Sequence, residues 1–502
     1  MSQSCEKVLG KLQPTAMEDP IPLEFPGSEA SEEGPDTDSI GQLVHGCLAF
    51  IEQMQAIRPE TLRGVRVWKL LCYLPSAWLR GNLKDLHGWS QQTAQFDQFC
   101  SHSWQGSRWT KYGNMLYLHN CMPASIAGTL SSSIACGLVS AGYLGVHERW
   151  CLPFGIVAFC ITLLLWHPQK LVFLDIVCIH QSDQRRKGQA LLSMGAFLKQ
   201  SKSMLVLWDP TWVTRLWCIF EIAAFLHSRS PGRKADLQIV PPLFGPVLLL
   251  RVVLTCAICM MYDYVNSSMA SSGESMLVGE LSLVVLALHL VVFLSFATHA
   301  LRGYARSVET LQEQLRDFKV EHVRSACCDR GHENNSLICD REVLLQCIAV
   351  WYKSLDSFER HVQTEVRMAV IDQLAYNAIS YQHILLVSTP WVWLRLGYAA
   401  SNANDPSRQV VDLAQTLTYF LAIFPLVDKV GFRLCYRLRA RCCKPYLDFL
   451  LSMVTVIWAF MLYVACHVIQ LYAFRENDRR LLLSVISMLT WWTVAAILWR
   501  FV

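Results

Sequence analysis

Glu221 stands alone among apolar residues in the stretch TRLWCIFEIAAF, residues 214–225. A carboxylate among Trp, Ile, Phe and Ala costs desolvation free energy unless it is paired or exposed. It is therefore either a surface residue on the polar stripe of a helix, paired with Arg215 or Arg229, or a group with a task in a pocket. Trp217 lies four residues before it, so the two share one helix face. The helix follows WDPTW, just past the carboxyl end of a strand, where open α/β sheets bind ligands. A carboxylate beside an indole at that edge has its pKa raised by desolvation and an aromatic wall against which a flat ring can lie.

The elements that position Glu221 read as alternating strands and helices. FDQFCSHSW (96–104) alternates apolar and polar residues, as a strand ending in a polar turn does. KLVFLDIVCIHQ is a buried strand with a polar end. SDQRRKGQALLSMGAFLKQ is an amphipathic helix that Ser182 or Asp183 would cap. SKSMLVLW is a second buried strand, DPTWVTRLWCIFEIAAFLHSR a second helix and ADLQIVPP a third strand. Continuous apolar strands alternating with helices predict a parallel sheet covered on both faces, built from 96–120 and 168–241.

These segments resemble the Toll/interleukin receptor (TIR) domain. FDQFCSHSW resembles its first strand, LVFLDIVCI its second and SKSMLVLW its third. RLWCIFE resembles the Trp-Cys-x-x-Glu segment that follows the third strand. The resemblance covers 96–104 and 170–241. It implies a flavodoxin-like sheet, and it implies two activities. In catalytic members the matching glutamate is implicated in cleaving the nicotinamide–ribose bond of NAD, where a carboxylate stabilises an oxocarbenium-like sugar. Carried over by position, Glu221 would be the catalytic carboxylate. Trp217 would shape the pocket, and Ser101, His102 and Ser103 in the turn after the first strand would line it. Non-enzymatic members assemble with one another as scaffolds. NAD enters as a substrate through this resemblance alone, and no cofactor is assigned. This chain departs from the family in carrying a membrane hairpin between the first two strands and no evident fifth strand. The rest of the chain is similar to large membrane-anchored proteins of unicellular eukaryotes that carry such a module.

Composition sets the surroundings. Of 502 residues, 53% are hydrophobic and only 17% charged, with a mean hydropathy of +0.28. Soluble domains carry about 25% charged residues, so much of this chain belongs in a lipid bilayer. A net charge of +4 argues against nucleic acid as a partner. Twenty cysteines follow no regular spacing and fall in apolar runs or basic loops, as reduced thiols do. No Gly-rich phosphate loop, HExxH or serine nucleophile elbow is present. CCDRGHENNSLIC gathers Cys327, Cys328, His332 and Cys339, but adjacent cysteines fit tetrahedral zinc poorly, and no metal site is expected.

Residues 1–15 lack the apolar core of a signal peptide. Residues 16–40 hold eight acidic and no basic residues, so 1–40 reads as a disordered acidic tail. Residues 41–95 read as helical. Transmembrane hairpins are expected over 123–167 and 243–299, a cytosolic helical region over 300–382 and a C-terminal transmembrane bundle over 383–502. Runs at 123–144, 151–167, 243–264, 277–299, 383–399, 410–427, 447–471 and 481–500 make eight spans; omitting 383–399, which holds Pro390 and Arg395, leaves seven. The basic stretch 428–446 is expected in the cytosol, with the N-terminus, the α/β module and, for eight spans, the C-terminus. Sequons begin at Asn266 and Asn334. Arg251 and Glu280 are expected to reach the membrane interfaces, and His289 to pack as a satisfied core residue. In SVETLQEQLRDFKVEHV, Val308, Leu311, Leu315, Phe318 and Val320 form one apolar face. The chain thus reads as an α-helical polytopic membrane protein with an inserted α/β parallel-sheet module. Its expected work is signalling or self-association at a membrane of unassigned identity. NAD cleavage and transport or channel activity are the alternatives.

Overall fold

A computed structural model of the protein describes residues 51–81, 86–103, 105–145, 149–229, 235–272, 276–329, 339–371, 374, 379–473 and 480–501. The acidic tail, His332 and Asn334 lie outside the described residues, as do the side chains of Asn266, Glu280 and His289.

Among the described residues, six strands form one mixed sheet: β1 (Arg63–Arg66), β2 (Gln91–Gln92), β3 (Phe96–His102), β4 (Leu171–Phe173), β5 (Ser201–Leu207) and β6 (Leu237–Val240). Their order is β2-β1-β4-β3-β5-β6. The four strands expected from the sequence lie side by side and parallel, with Phe99 opposite both Phe173 and Met204, and Leu205 opposite Gln238. Numbered among themselves their order is 2-1-3-4, that of a flavodoxin-like sheet. The sheet is mixed rather than purely parallel because β1 pairs antiparallel with β4 and with β2. Both extra strands come from the region expected to be helical, where among the described residues only α1 (Val67–Arg80) forms a long helix. β1 covers an edge of β4 that would otherwise leave its ladder groups open.

Polar side chains end and break these elements. β4 stops early because Asp175 begins a single helical turn, Asp175–Cys178, and accepts from the Ile176 N–H at 2.7 Å. The helix expected over 182–200 starts at its Asp183 cap, which accepts from the Arg186 N–H at 3.1 Å. It is then split into α4 (Gln184–Leu192) and α5 (Met194–Lys199). Ser193 sits at the break, donating to the Gln189 carbonyl at 2.7 Å and accepting from the Ile57 N–H at 3.1 Å.

Helices α2 (Arg108–Ser140) and α3 (Cys151–Leu165) form the expected hairpin, but α2 starts fifteen residues (123 − 108) before the apolar run does. Its polar first turns are tied to protein. Asn114 donates to the Pro241 carbonyl at 3.0 Å and accepts from the Gly245 N–H at 2.6 Å. Asn120 donates to the Leu163 carbonyl at 2.8 Å, satisfying an open group at the end of α3. After α6 (Leu216–His227) come α7 (Phe244–Ser272), α8 (Met276–Arg316), α9 (Asp340–Tyr352), α10 (Tyr381–Ser401), α11 (Pro406–Arg437), α12 (Pro445–Ala473) and α13 (Arg480–Phe501).

Among the described residues, Arg108–Ser140, Phe244–Val265, Pro406–Arg437 and Pro445–Gln470 are long and apolar enough to cross a membrane. Their outer faces carry exposed Leu130, Ile134, Val253, Trp458 and Met461. The chain is therefore compatible with an integral membrane protein. α10, despite Pro390, packs centrally: its buried Trp393 wedges between α2 and α3 at Gly128 and Gly155, where a Cβ would come within 2.6 Å of the indole.

Two arginines of the bundle are paired with aspartates. Arg251 donates to Asp428 on α11. Asp428 lies in the stretch expected to be a loop, which is helical as far as Arg437. α8 runs unbroken through the boundary expected near 300, and its distal apolar face, Val308, Leu311 and Leu315, is buried. Arg302 on α8 is fully buried and donates to the carbonyls of Leu438, Ala440 and Asp448, to the Asp448 carboxylate at 2.7 Å and to Ser452 at 2.9 Å. It holds the turn between α11 and α12. Removing one partner of such a buried pair costs about 3–5 kcal/mol, whereas exposed pairs contribute about 0–1 kcal/mol. Arg302→Ala should therefore markedly lower the melting temperature of the detergent-solubilised protein. Arg439→Ala, which breaks the half-exposed Arg439–Glu309 pair, should lower it far less. Equal shifts would mean that Arg302 is not the clamp.

Candidate functional site

The carboxyl ends of β3 and β5 meet where the strand order reverses, with β4 on one side and β6 on the other. At such a switch point the connections leave to opposite faces, which is where open α/β sheets bind ligands; here the side chains at the strand ends are buried. Alternation along β3 sends Ser101 and Ser103 one way and His102 the other. α6 is apolar almost all round because it is buried on two sides, by the sheet and by α9. Trp351 of α9 lies 5.4 Å from Phe220, and the Tyr352 hydroxyl donates to the Ala223 carbonyl at 3.0 Å. Two-sided packing fixes the rotation of α6 and turns Glu221 toward β3.

Glu221 is 9% exposed and accepts from the Ser101 hydroxyl at 2.5 Å. Ser101 in turn accepts from the Trp212 indole N–H at 2.9 Å. Neither Arg215 nor Arg229 serves as its partner. Arg229 donates to the Leu198 and Ser201 carbonyls at 2.9 and 2.6 Å, and the Arg215 segment pairs with Arg324. Burial pushes the Glu221 carboxyl up to about 8; the Ser101 hydrogen bond opposes this and the nearby Asp175 charge adds to it.

A second carboxylate, Asp209, follows the end of β5 and is 4% exposed. It accepts from Ser103, from Thr211 Oγ1 at 2.5 Å and from the Thr211 N–H at 2.9 Å, and its Oδ2 lies 3.3 Å from Lys111 Nζ. Lys111 also donates to the Ser103 carbonyl. Burial acts to raise the pKa of Asp209, but these hydrogen bonds and the Lys111 charge outweigh it and hold the carboxyl below its usual range. Gly106 packs over this pair, because a Cβ there would meet Asp209 Oδ2 at 2.5 Å. His102 Nδ1 lies 3.8 Å from Asp175, and burial lowers its pKa further than Asp175 raises it. Cys218 donates to the His102 carbonyl at 3.7 Å, and burial pushes its thiol well above the ordinary range, so it is no nucleophile at neutral pH.

The arrangement divides two carboxyls into a neutral acid, Glu221, and an ionised base, Asp209, held by serines two residues apart. Environments that separate two pKa values in this way suit acid–base work. Of the residues picked out in sequence, Glu221, Ser101, His102 and Ser103 come together. The indole hydrogen-bonded into the site belongs to Trp212, while Trp217 is half-buried with its ring 5.8 Å edge-on to Phe220. Asp209, Thr211, Trp212, Lys111 and Asp175 complete the site and were not singled out. The one available signal was WDPTW, an acid directly after a buried strand. Among the described residues no group of His, Cys, Asp and Glu is placed to hold a metal ion.

No protein-family model matches the chain, and searches of curated proteins and of solved structures return no match.

The buried acid gives the fold a definite pH response. Unfolded, Glu221 ionises near 4.5; folded, near 8. Stability from the neutral carboxyl is full below the lower value and is lost as pH rises through the upper one, by up to about 1.4 kcal/mol per unit. Thermal unfolding from pH 5 to 8 should show wild-type stability falling relative to Glu221→Gln. Parallel curves would show that Glu221 is ionised in the folded protein at neutral pH.

Proposed function

We propose that the chain is a membrane-anchored signalling protein in which a TIR-like α/β module, on the cytosolic side of an eight-span bundle, communicates with the bilayer helices through its switch point. The observation that carries this is the Lys111–Asp209 pair. Lys111 sits in the first turn of α2, which continues into a membrane-length helix, and Asp209 sits at the rim of the sheet. A second long helix converges on the same rim, since Gln314 of α8 donates to the Pro210 carbonyl at 2.7 Å. A change at the Asp209 turn therefore acts directly on two helices that reach into the bundle.

Hydrogen exchange of the full-length protein in lipid nanodiscs tests the coupling. Lys111→Met should change exchange at the distant turn 141–145 by at least about threefold, the scale of a modest coupling free energy. Unchanged exchange there, with changed exchange around Asp209, would reject it.

The buried Ser101–Glu221 contact favours a second reading, in which the module cleaves NAD. Water would replace nicotinamide on the ribose, giving ADP-ribose, nicotinamide and a proton. An ionised Glu221 would stabilise the cationic sugar. The rate of nicotinamide release should then rise with pH toward a plateau above about 8. Glu221→Gln should lower it by at least about a hundredfold. Absence of release by the intact protein across this range removes the catalytic reading and leaves the signalling one.

A further inference from the structure

The stretch 429–447 joins α11 to α12 and holds six cations, Lys429, Arg433, Arg437, Arg439, Arg441 and Lys444, with no acid among them. The acids on either side are already engaged, Asp428 by Arg251 and Asp448 by Arg302. Two of the six cations are used within the protein: Lys429 lies 4.2 Å over the Trp499 ring, and Arg439 pairs with Glu309 at 2.7 Å. Arg433, Arg437, Arg441 and Lys444 are exposed. Among the described residues, no carboxylate forms an ion pair with any of these four.

The four stand where two membrane-length helices leave their apolar surface, since α11 ends at Arg437 and α12 begins at Pro445. Tyr446, Leu447 and Leu450 follow at once as exposed apolar side chains. Lys444 is three residues (447 − 444) before Leu447, about 5 Å of helix. That matches the headgroup layer, about 5–7 Å on each side of the hydrocarbon core. Lys444 Nζ lies 5.8 Å from the Tyr446 ring centre, and tyrosine is a residue of that interface. The turn is also held in place. Arg302 binds the carbonyls of Leu438 and Ala440 and the Asp448 carboxylate, so the frame that carries the cations loses little freedom when an anion binds. Arg433 and Arg437, four residues apart on one helix face, repel one another, and an anion between them relieves that repulsion.

We infer that the α11–α12 turn is a docking surface for net-anionic lipid headgroups. It goes beyond the proposed signalling role and rests only on α11 and α12 lying in a bilayer, not on which compartment the turn faces. Phosphatidylserine fits, because its net negative charge meets unneutralised cations while its chains lie along Leu447 and Leu450. Phosphatidylcholine carries the same phosphate, but its own cation cancels the attraction. A soluble phosphate gains nothing from the apolar side chains. Each cation near an anionic lipid surface contributes about fivefold in affinity.

Native mass spectrometry of the full-length protein, equilibrated in mixed micelles of equal phosphatidylserine and phosphatidylcholine, tests this. Wild type should retain phosphatidylserine in preference. Arg437→Gln/Arg441→Gln should lower that preference at least about fivefold, and Arg437→Lys/Arg441→Lys, which keeps the charge, should preserve it. Arg316→Gln/Arg360→Gln should leave it unchanged: both cations are exposed, Arg316 lies 14 residues (316 − 302) past Arg302 on α8, and Arg360 adjoins the Lys319–Glu359 pair. No preference in wild type, a preference kept by the Gln variant or lost by the Lys variant, or equal loss in the two Gln variants overturns the surface. Glycerophosphoserine, the headgroup without its chains, should not displace the lipid at equal concentration; displacement would make the occupant a soluble anion and overturn the lipid assignment. Protein that elutes free of all lipid and detergent overturns the membrane reading, and the inference with it. Protein that carries detergent and phosphatidylcholine without the preference overturns the inference alone.

Discussion

The parallel pairing of β3 with both β4 and β5 is the constraint on which the site depends. Phe99 lies opposite Phe173 on one side and Met204 on the other. Everything between β3 and β4 is therefore a crossover, and in this chain the crossover is the α2–α3 hairpin. Pairing is secured by burial: Phe96, Phe99, Phe173 and Phe197 are inaccessible to solvent and touch one another, with Phe99 stacked on Phe173 at 4.7 Å. At the amino edge, Asp97 accepts from the Leu171 N–H at 2.9 Å and from Lys202 at 2.7 Å, joining three strands. The Lys202 contact is largely exposed and contributes little; the aromatic layer does the holding. Where the strands end, their carboxyl edges are left to polar chemistry.

That chemistry is asymmetric for a simple reason. Asp209 receives hydrogen bonds from two hydroxyls and a backbone amide, and has a cation at 3.3 Å. Glu221 receives one hydroxyl, whose lone pair is shared with the Trp212 indole, in a setting of Phe, Ile and Ala. The same functional group is thus an anion at one serine and a neutral acid at the next. Donors and desolvation set this together: three hydrogen bonds and the Lys111 cation outweigh burial at Asp209, whereas burial outweighs the single Ser101 hydrogen bond at Glu221.

The sequence made the strands and the oddity of Glu221 visible because both are local. Alternation marks β3, continuous apolar runs mark β5 and β6, and a lone acid marks α6. β1 was invisible because RGVR is four residues long and becomes a strand only by meeting the edge of β4. The split at Ser193 was invisible because its cause, the Ile57 N–H, is 136 residues away. The partner of Arg251 is invisible for the same reason: Asp428 is 177 residues distant. In the site, helical spacing singled out Trp217, but Trp212 is the indole that reaches Ser101, because the irregular turn before α6 aims it there. Periodicity locates a residue on its own element and is silent about turns.

The polar first turns of α2 carry the same lesson further. Lys111, Asn114 and Asn120 fall in the stretch assigned from sequence to the α/β module, 96–120, yet they belong to α2 and each binds a different part of the molecule: the Asp209 turn, the β6–α7 turn and the end of α3. A helix whose outer half is apolar and whose first turns are anchored at three points cannot slide or rotate independently of the sheet. α8 is fixed in a comparable way, by Gln314 at the Pro210 turn and by Arg302 at the α11–α12 turn. A displacement of the 209–211 turn is therefore passed along both helices toward the bundle, with Pro123 in α2, which leaves one helical hydrogen bond unmade, as the point at which that helix can bend.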